Sequence, residues 1–445
     1  MSLVEKFKSL VLRVKASSII RDTLNTTSLG ILGKGAGLLV PFFIAAWFGV
    51  SESTDVFFFV MAIFVLFSGI FAWSAEATIV SFVAKLQNEG PKNVGLFLGK
   101  LIPILESGII FILLIVIASS KPLFSLITNF SKDSINLLCV LLLEISPAIL
   151  FVTISDIFSG VLSAYKCFLI PAFLRSLSLV IVIGVTYFLK GSLGVHSIII
   201  GFVTGEALRL FLLWLILHRR GVGPANISLR FNGAVLEFLK TSMYLAMGMS
   251  AAGLSPIINR TMASYWGAGS ISVLEYAERI CFIPAGIMNS GFLIVILSYW
   301  STGFQKHGSE KLWKDVLRMT KLIGCFSFVF SIALFIFRYP LVSLVIGWGG
   351  KIPKGKLIET SQLLGIYLLG LIPSNISLVF GRAHLVLRNT KILMKITFIG
   401  IGILFLLNMA LAPYFGLKGV ALALVSSQAI MSLMLFLTLK KSLNI

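Results

Sequence analysis

Residues 97–119 read FLGKLIPILESGIIFILLIVIAS, a stretch in which only Lys100 and Glu106 carry charge. Wound as an α-helix at 1.5 Å per residue it reaches about 34 Å, enough to cross a hydrocarbon core of ~30 Å. Its apolar residues are contiguous rather than alternating, so it does not suit a barrel strand. A helix satisfies its own backbone hydrogen bonds in lipid. The chain as a whole has the same character: 445 residues, 58% hydrophobic and 12% charged, with a mean hydropathy of +1.01. Water-soluble domains carry about a quarter charged residues, so a soluble fold is excluded. The expected fold is an all-α polytopic membrane protein.

The same reading gives twelve expected spans, at 28–50, 55–84, 97–119, 135–158, 170–189, 194–217, 238–262, 270–299, 320–339, 360–382, 392–413 and 417–439. Turn chemistry separates several of them, as at Ser51-Glu52-Ser53-Thr54, Asn88-Glu89-Gly90-Pro91, Gly221-Val222-Gly223-Pro224 and Gly349-Gly350. Residues 1–24 differ: Leu3, Val4, Phe7, Leu10, Val11 and Val14 recur at helical spacing among Lys6, Lys8, Arg13 and Lys15. That pattern suits an amphipathic helix lying on the membrane surface and lacks the apolar core and cleavage site of a signal peptide.

A net charge of +20 raises the question of nucleic acid, and its distribution answers it. With the N-terminus placed in the cytoplasm, the cytoplasmic segments hold roughly 25 Lys and Arg against about 8 outside. The inner set includes Arg219, Arg220, Arg230, Lys306, Lys311, Lys314, Arg388, Lys440 and Lys441; the outer one includes Lys121, Lys132, Lys190, Arg338, Lys351 and Lys418. The charge is topological, with both termini cytoplasmic, and it adds attraction to anionic headgroups. Cys139, Cys167, Cys281 and Cys325 stand singly, without CxxC or neighbouring His, so neither a metal site nor a disulfide framework is expected.

The chain carries a weak internal repeat. Ala36-Gly37-Leu38 followed by Ala46-Trp47-Phe48-Gly49 resembles Ala252-Gly253-Leu254 followed by Ser264-Tyr265-Trp266-Gly267, and Tyr187-Phe188 with Gly194-Val195 resembles Tyr414-Phe415 with Gly419-Val420. The expected organisation is an interfacial segment 1–24, a first lobe 25–220 with helices 1–6, a cytoplasmic linker 221–237 and a second lobe 238–445 with helices 7–12. Six helices per lobe make the repeats parallel, a transporter plan with a central site between rocking lobes.

An ionised side chain at mid-membrane costs about 2.5–3.5 kcal/mol on insertion scales, so each buried charge asks for a function or a partner. Lys34 lies inside the first span, Asp55 opens the second and Glu76 lies deep along it; Glu106 and Glu144 interrupt the third and fourth. Glu206 and Arg209 share a face near the inner end of the sixth and read as a local ion pair, while Lys100, Asp156 and Arg175 lie close enough to the surface to snorkel. Arg260 closes the seventh span. Arg279 falls well inside the eighth, where Glu275, four residues earlier, is on the same face and Glu278 points about 100° away. Lys34, Arg260 and Arg279 are the candidate cavity cations for an anionic substrate, and Arg suits a phosphate because its planar fork binds bidentately. Gly33, Gly35 and Pro41 beside Lys34, and Pro284 with Gly286 after Arg279, are candidate hinges; close helix packing explains the glycines equally well.

The stretch Ile258-Asn259, Ala263-Ser264, Gly269-Ser270, Ser272, Tyr276-Ala277-Glu278-Arg279 and Pro284-Ala285-Gly286 resembles the seventh-to-eighth helix signature of the MurJ (MviN)-type flippases. Those belong to the multidrug/oligosaccharidyl-lipid/polysaccharide exporter superfamily. Phe48-Gly49, Thr54-Asp55-Val56-Phe57-Phe58, Gly160, Leu162, Phe168 and Ile170-Pro171-Ala172-Phe173 extend the resemblance along the chain. It implies a flippase for a polyisoprenyl-pyrophosphate-linked sugar, lipid II in the best-known members. Two lobes would form a V around a cationic cavity while the lipid tail stays in the bilayer. By position Arg279 resembles an essential cavity arginine, Lys34 falls where the family has an Arg, and Asp55 resembles an acid typical of the family. The chain departs where further arginines are usual, at Val40 or Pro41 and at Ser68, and Phe282 replaces an expected acid. The family commonly has fourteen helices against the twelve read here, so a related lipid-linked oligosaccharide competes with lipid II.

Other classes have less support. Gly33-Lys34 lacks the spacing and following Ser/Thr of a phosphate-binding loop, and neither HExxH nor GxSxG occurs. His196, His218, His307 and His384 are scattered, and the acid-poor loops offer no surface for a metal-dependent glycosyltransferase. The alternative is a drug/cation antiporter of the same superfamily, which would use Glu76, Glu144 and Glu106 in a negative cavity. For either class sodium or the proton is the candidate coupling ion, at Asp55, Glu76 or Glu144. No cofactor, no nucleic-acid partner and a monomer in the inner membrane complete the expectation.

Overall fold

In a computed structural model of the chain the described residues are 39–87 and 90–443, with backbone alone described for 284–299 and 302. All the regular structure among them is helical. The helices are α1 (Leu39–Phe48), α2 (Glu52–Leu86), α3 (Pro91–Ile127), α4 (Lys132–Ala164), α5 (Leu169–Leu193), α6 (His196–Arg219) and α7 (Gly233–Ala263). The run Ser270–Ile336 is broken at Gly308, whose φ of 71° and ψ of −164° separate α8 from α9. A short helix, Arg338–Ile346, then leads to α10 (Lys354–Val386), α11 (Thr390–Phe415) and α12 (Leu417–Ser442).

Among the described residues nine helices are long and apolar enough to cross a membrane: α2 to α6 and α9 to α12. α1, α7 and α8 stand where the sequence places its first, seventh and eighth spans. The helices overrun the expected bounds; α3 has 37 residues because nothing stops it between Gly90, at φ 104°, and Thr128, in the extended region. Hydropathy marks the lipid-embedded part of a helix, whereas backbone hydrogen bonding continues until a residue breaks it. Side-chain caps begin several: Ser51 accepts from the Thr54 N–H and Asn232 from the Val235 N–H at 2.8 Å.

The turns near Gly49, Thr128, Gly194, Gly267, Gly349 and Gly416 lie at one end of the bundle, here the upper end. Those near Gly90, Lys166, Gly221, Gly308 and Arg388 lie at the lower. Three cores are arranged unequally between them. One joins both halves, with Val56 and Phe57 of α2, Ile145 of α4, Ile271 and Tyr276 of α8, Leu364 of α10 and Val420 of α12. Below it are two separate cores. One comprises Ile79, Phe97, Phe158 and Leu213 with Phe238 of α7; the other has Trp300, Val316, Phe380, Ile396 and Leu439. The halves therefore share apolar packing above and part below. Phe238, the first residue expected of the second lobe, packs into the first half's lower core.

The strap that precedes α7 is held by a local defect. Pro103 has no N–H to give the Gly99 carbonyl four residues earlier, and the Ser228 N–H takes its place at 3.1 Å. The Ala225 N–H reaches the Gly95 carbonyl at 2.9 Å. Glycine is required for the approach, since a Cβ on Gly99 would stand 1.9 Å from the Ala225 carbonyl oxygen.

Candidate functional site

At the upper end Asp55 of α2 caps the start of α8. Its carboxylate accepts the Gly269 and Ser272 N–H groups at 2.7 Å each and the Ser272 hydroxyl at 2.6 Å. Those N–H groups begin a helix, where orphan donors and the helix dipole favour an anion. Thr54 and Ser272 hydroxyls bond at 2.8 Å, and the Tyr276 hydroxyl donates to the Gly49 carbonyl at 2.9 Å. Nearby, the Asn129 N–H donates to Ser264 Oγ at 3.1 Å. Backbones meet directly as well: a Cβ on Gly349 would lie 2.1 Å from the Ala46 carbonyl oxygen. The result is a seal between the halves. The sequence suggests Asp55 as a substrate contact; in this structure it is 2% exposed and accepts three hydrogen bonds from the other half.

Beneath the seal lies the cation cluster. Arg279, nine residues into α8, is about 13 Å below that helix's start. Its Nε donates to Glu275 Oε1 at 2.7 Å, as the four-residue spacing predicts, and its side chain is 44% exposed. Arg260, from α7, donates an Nη to Glu275 Oε2. It is buried, and so is Glu275. Arg260 is thus held inside the protein rather than presented as a free cavity cation: the pair closes the α7–α8 contact because an unpaired guanidinium could not be buried there. Phe282 packs against the shared core, and the carboxylate facing Arg279 comes from one turn before it.

A second charged group sits low in the first half. Asp156 Oδ1 accepts from Arg209 at 2.5 Å and from Arg175 at 2.6 Å, Arg175 also reaches Glu76 at 3.2 Å, and Arg209 reaches Glu206 at 3.1 Å. The expected Glu206–Arg209 pair is present. Asp156 does not snorkel; it is 1% exposed, where two arginines make an ionised carboxylate tenable. Sequence reasoning missed this network because its members come from four helices. The one signal available was that α2, α4, α5 and α6 each carry a charge toward the same end. Glu144, near the upper end of the first half, meets His196 Nδ1 at 2.8 Å, an association of α4 with α6 that the sequence left as two isolated residues.

Lys34, Gly33 and Gly35 lie outside the described residues, and at Pro284 and Gly286 only the backbone is described. The α8 backbone stays helical through those two positions and breaks at Gly308, while Pro41 is buried in α1. A hinge-like feature absent from the expectation is the π-helical turn Gly69–Trp73 within α2, opposite α7. Among the described residues no group of three or more His, Cys, Asp or Glu is placed to hold a metal ion. A groove of about 580 Å³ between α3, α4 and α6 is lined by apolar residues such as Ile102, Phe158, Phe211 and Trp214, and offers nothing to an anion.

Comparison with known proteins gives a consistent result. The family model described as Lipid II flippase MurJ matches residues 44–445. The lipid II flippase MurJ of Burkholderia cenocepacia is 26% identical over 444 residues, covering 95% of this chain and 84% of that protein. Among solved structures, a lipid II flippase MurJ in an inward closed conformation superposes with a TM-score of 0.77 at 24% identity, over 96% of this chain and 89% of the other. An inward-facing multidrug resistance MATE transporter of the MOP superfamily gives 0.79 at 11% identity, over 95% and 98%.

Proposed function

This chain belongs to the lipid II flippase MurJ family, and from that premise we propose that it moves a polyisoprenyl-pyrophosphate-linked sugar across the cytoplasmic membrane. The cargo is lipid II or a related lipid-linked oligosaccharide for cell-wall or surface-polysaccharide synthesis. One observation carries the reading: a half-exposed guanidinium, Arg279, stands directly beneath a sealed upper end, and a buried carboxylate holds it by Nε. Among the described residues its two Nη groups have no hydrogen-bond partner, which leaves them to a planar, bidentate contact with a phosphate.

The distribution of lysine and arginine puts the lower end in the cytoplasm, with both termini there, so the seal faces outward. In this arrangement the diphosphate enters from below between the diverging halves and meets Arg279, with Lys34 contributing from the first span. Binding lowers the repulsion among cavity cations, the lower ends close, and the latch at Asp55 releases. The isoprenyl chain stays in lipid throughout, and no covalent step occurs. The chain acts as a monomer, and a sodium ion or proton couples the cycle, with Glu144 and Glu76 as the proposed sites.

The antiporter alternative, which would use Glu76, Glu144 and Glu106, needs a cavity that is negative overall. Arg175 balances Glu76, and the exposed cation beneath the seal is Arg279, which favours an anionic cargo instead. Transport of a fluorescent polyprenyl-pyrophosphate sugar in proteoliposomes tests the proposal. The wild type should transport it, Arg279→Ala should abolish transport at normal expression, and Arg279→Lys should retain a part. Dissipation of a drug or cation gradient with no lipid movement would overturn it.

A further inference from the structure

We infer that Glu275 is the positioning residue of this transporter: it fixes the plane of the Arg279 guanidinium so that the outward edge meets the diphosphate squarely. The inference rests on the proposed function. Each Glu275 oxygen has a different task. Oε1 accepts from Arg279 Nε at 2.7 Å within α8, while Oε2 accepts from Arg260, which belongs to α7. Glu275 is 3% exposed at the side chain and Arg260 8%, so neither moves without leaving a charge unpaired inside the protein. Arg279 is 44% exposed and so receives its orientation from a partner that is itself immobilised.

The chemistry follows from the shape of guanidinium. Its five N–H donors lie in one plane, and engagement at Nε leaves the Nη edge as the free one. A phosphate bound by two parallel bonds needs that plane defined beforehand, because a rotating fork loses entropy when it docks. A lysine has no plane to define, so the effect of Glu275 must vanish when Arg279 is replaced by lysine. A merely structural ion pair has no such dependence.

The test is a double-mutant cycle on the full chain in nanodiscs, reading affinity for a fluorescent polyprenyl-pyrophosphate disaccharide. Glu275→Gln should weaken binding about tenfold, the scale of one hydrogen bond to a charged group. In the Arg279→Lys background the same change should alter affinity less than twofold. Thermal unfolding of each variant is followed in parallel. If Glu275→Gln does not fold, Glu275→Asp keeps a charge for Arg260 while withdrawing from Nε, and should show the same dependence. Equal losses in both backgrounds, or none in either, would overturn the inference while leaving the flippase reading intact. A wild type that binds no diphosphate lipid would remove both.

Discussion

Removing the carboxylate at position 55 should open the upper end. Asp55 accepts three hydrogen bonds from the start of α8, at 2.7, 2.7 and 2.6 Å. Hydrogen bonds to a charged group contribute about 1.5–3 kcal/mol each, but bonds on one carboxylate are not additive. A loss of ~3 kcal/mol is therefore a conservative figure for Asp55→Ala, equivalent to about a hundredfold change in the ratio of sealed to open forms. Asp55→Asn keeps one acceptor oxygen and should fall between. Spin labels on Leu126 of α3 and Tyr414 of α11, both largely exposed at the upper end, would report the separation of the halves by pulsed dipolar spectroscopy. They require a background free of the four native cysteines. The distance distribution of Asp55→Ala should acquire a longer component that the wild type lacks. An unchanged distribution alongside lost transport would refute the latch and return Asp55 to a direct part in substrate binding.

Three further outcomes are expected. Asp156→Ala strands Arg175 and Arg209 beside a cavity, and should destabilise the protein by about 3–5 kcal/mol, seen as a lowered midpoint in thermal unfolding; Arg175 alone, half-exposed, should matter less. Gly99→Ala forces a Cβ against the Ala225 carbonyl oxygen 1.9 Å away, and should release the strap at a cost of about 1–3 kcal/mol, detected as faster proteolysis at 223–231 in detergent. Glu144→Gln leaves His196 without its carboxylate; if this pair couples transport, accumulation driven by a pH gradient should drop several-fold while lipid exchange without a gradient persists.

What could be read beforehand follows the range of the interactions. Span positions and the Arg279–Glu275 contact are periodic along one helix, so spacing alone places them. The same holds for Ser51, whose cap on α2 is set by a residue three positions on. Asp55 illustrates the limit: an acid in the first turn of a helix reads as a dipole partner or a cavity acid, while its donors lie 214 and 217 residues away. Asp156 was similarly ambiguous, since nearness to a surface suggests snorkelling until α5 and α6 supply two guanidinia. The π-helical turn in α2 and the strap on Gly99 depend on backbone groups, which the identity of side chains records only indirectly through Pro103 and the glycines.

The unequal sharing of apolar packing has a consequence for leakage. Phe58 and Tyr276, whose rings meet edge to face with centroids 5.3 Å apart, belong to the one core common to both halves. Parting the upper end exposes that core to water at about 25 cal/mol per Å² of apolar surface. Closing the lower end is the available compensation, because the two lower cores are separate and can bury new area only against each other. A form open at both ends forfeits the first burial without gaining the second. Such a conduit would pass protons and salts and collapse the membrane potential, so the geometry that divides the molecule below also keeps it from becoming a channel.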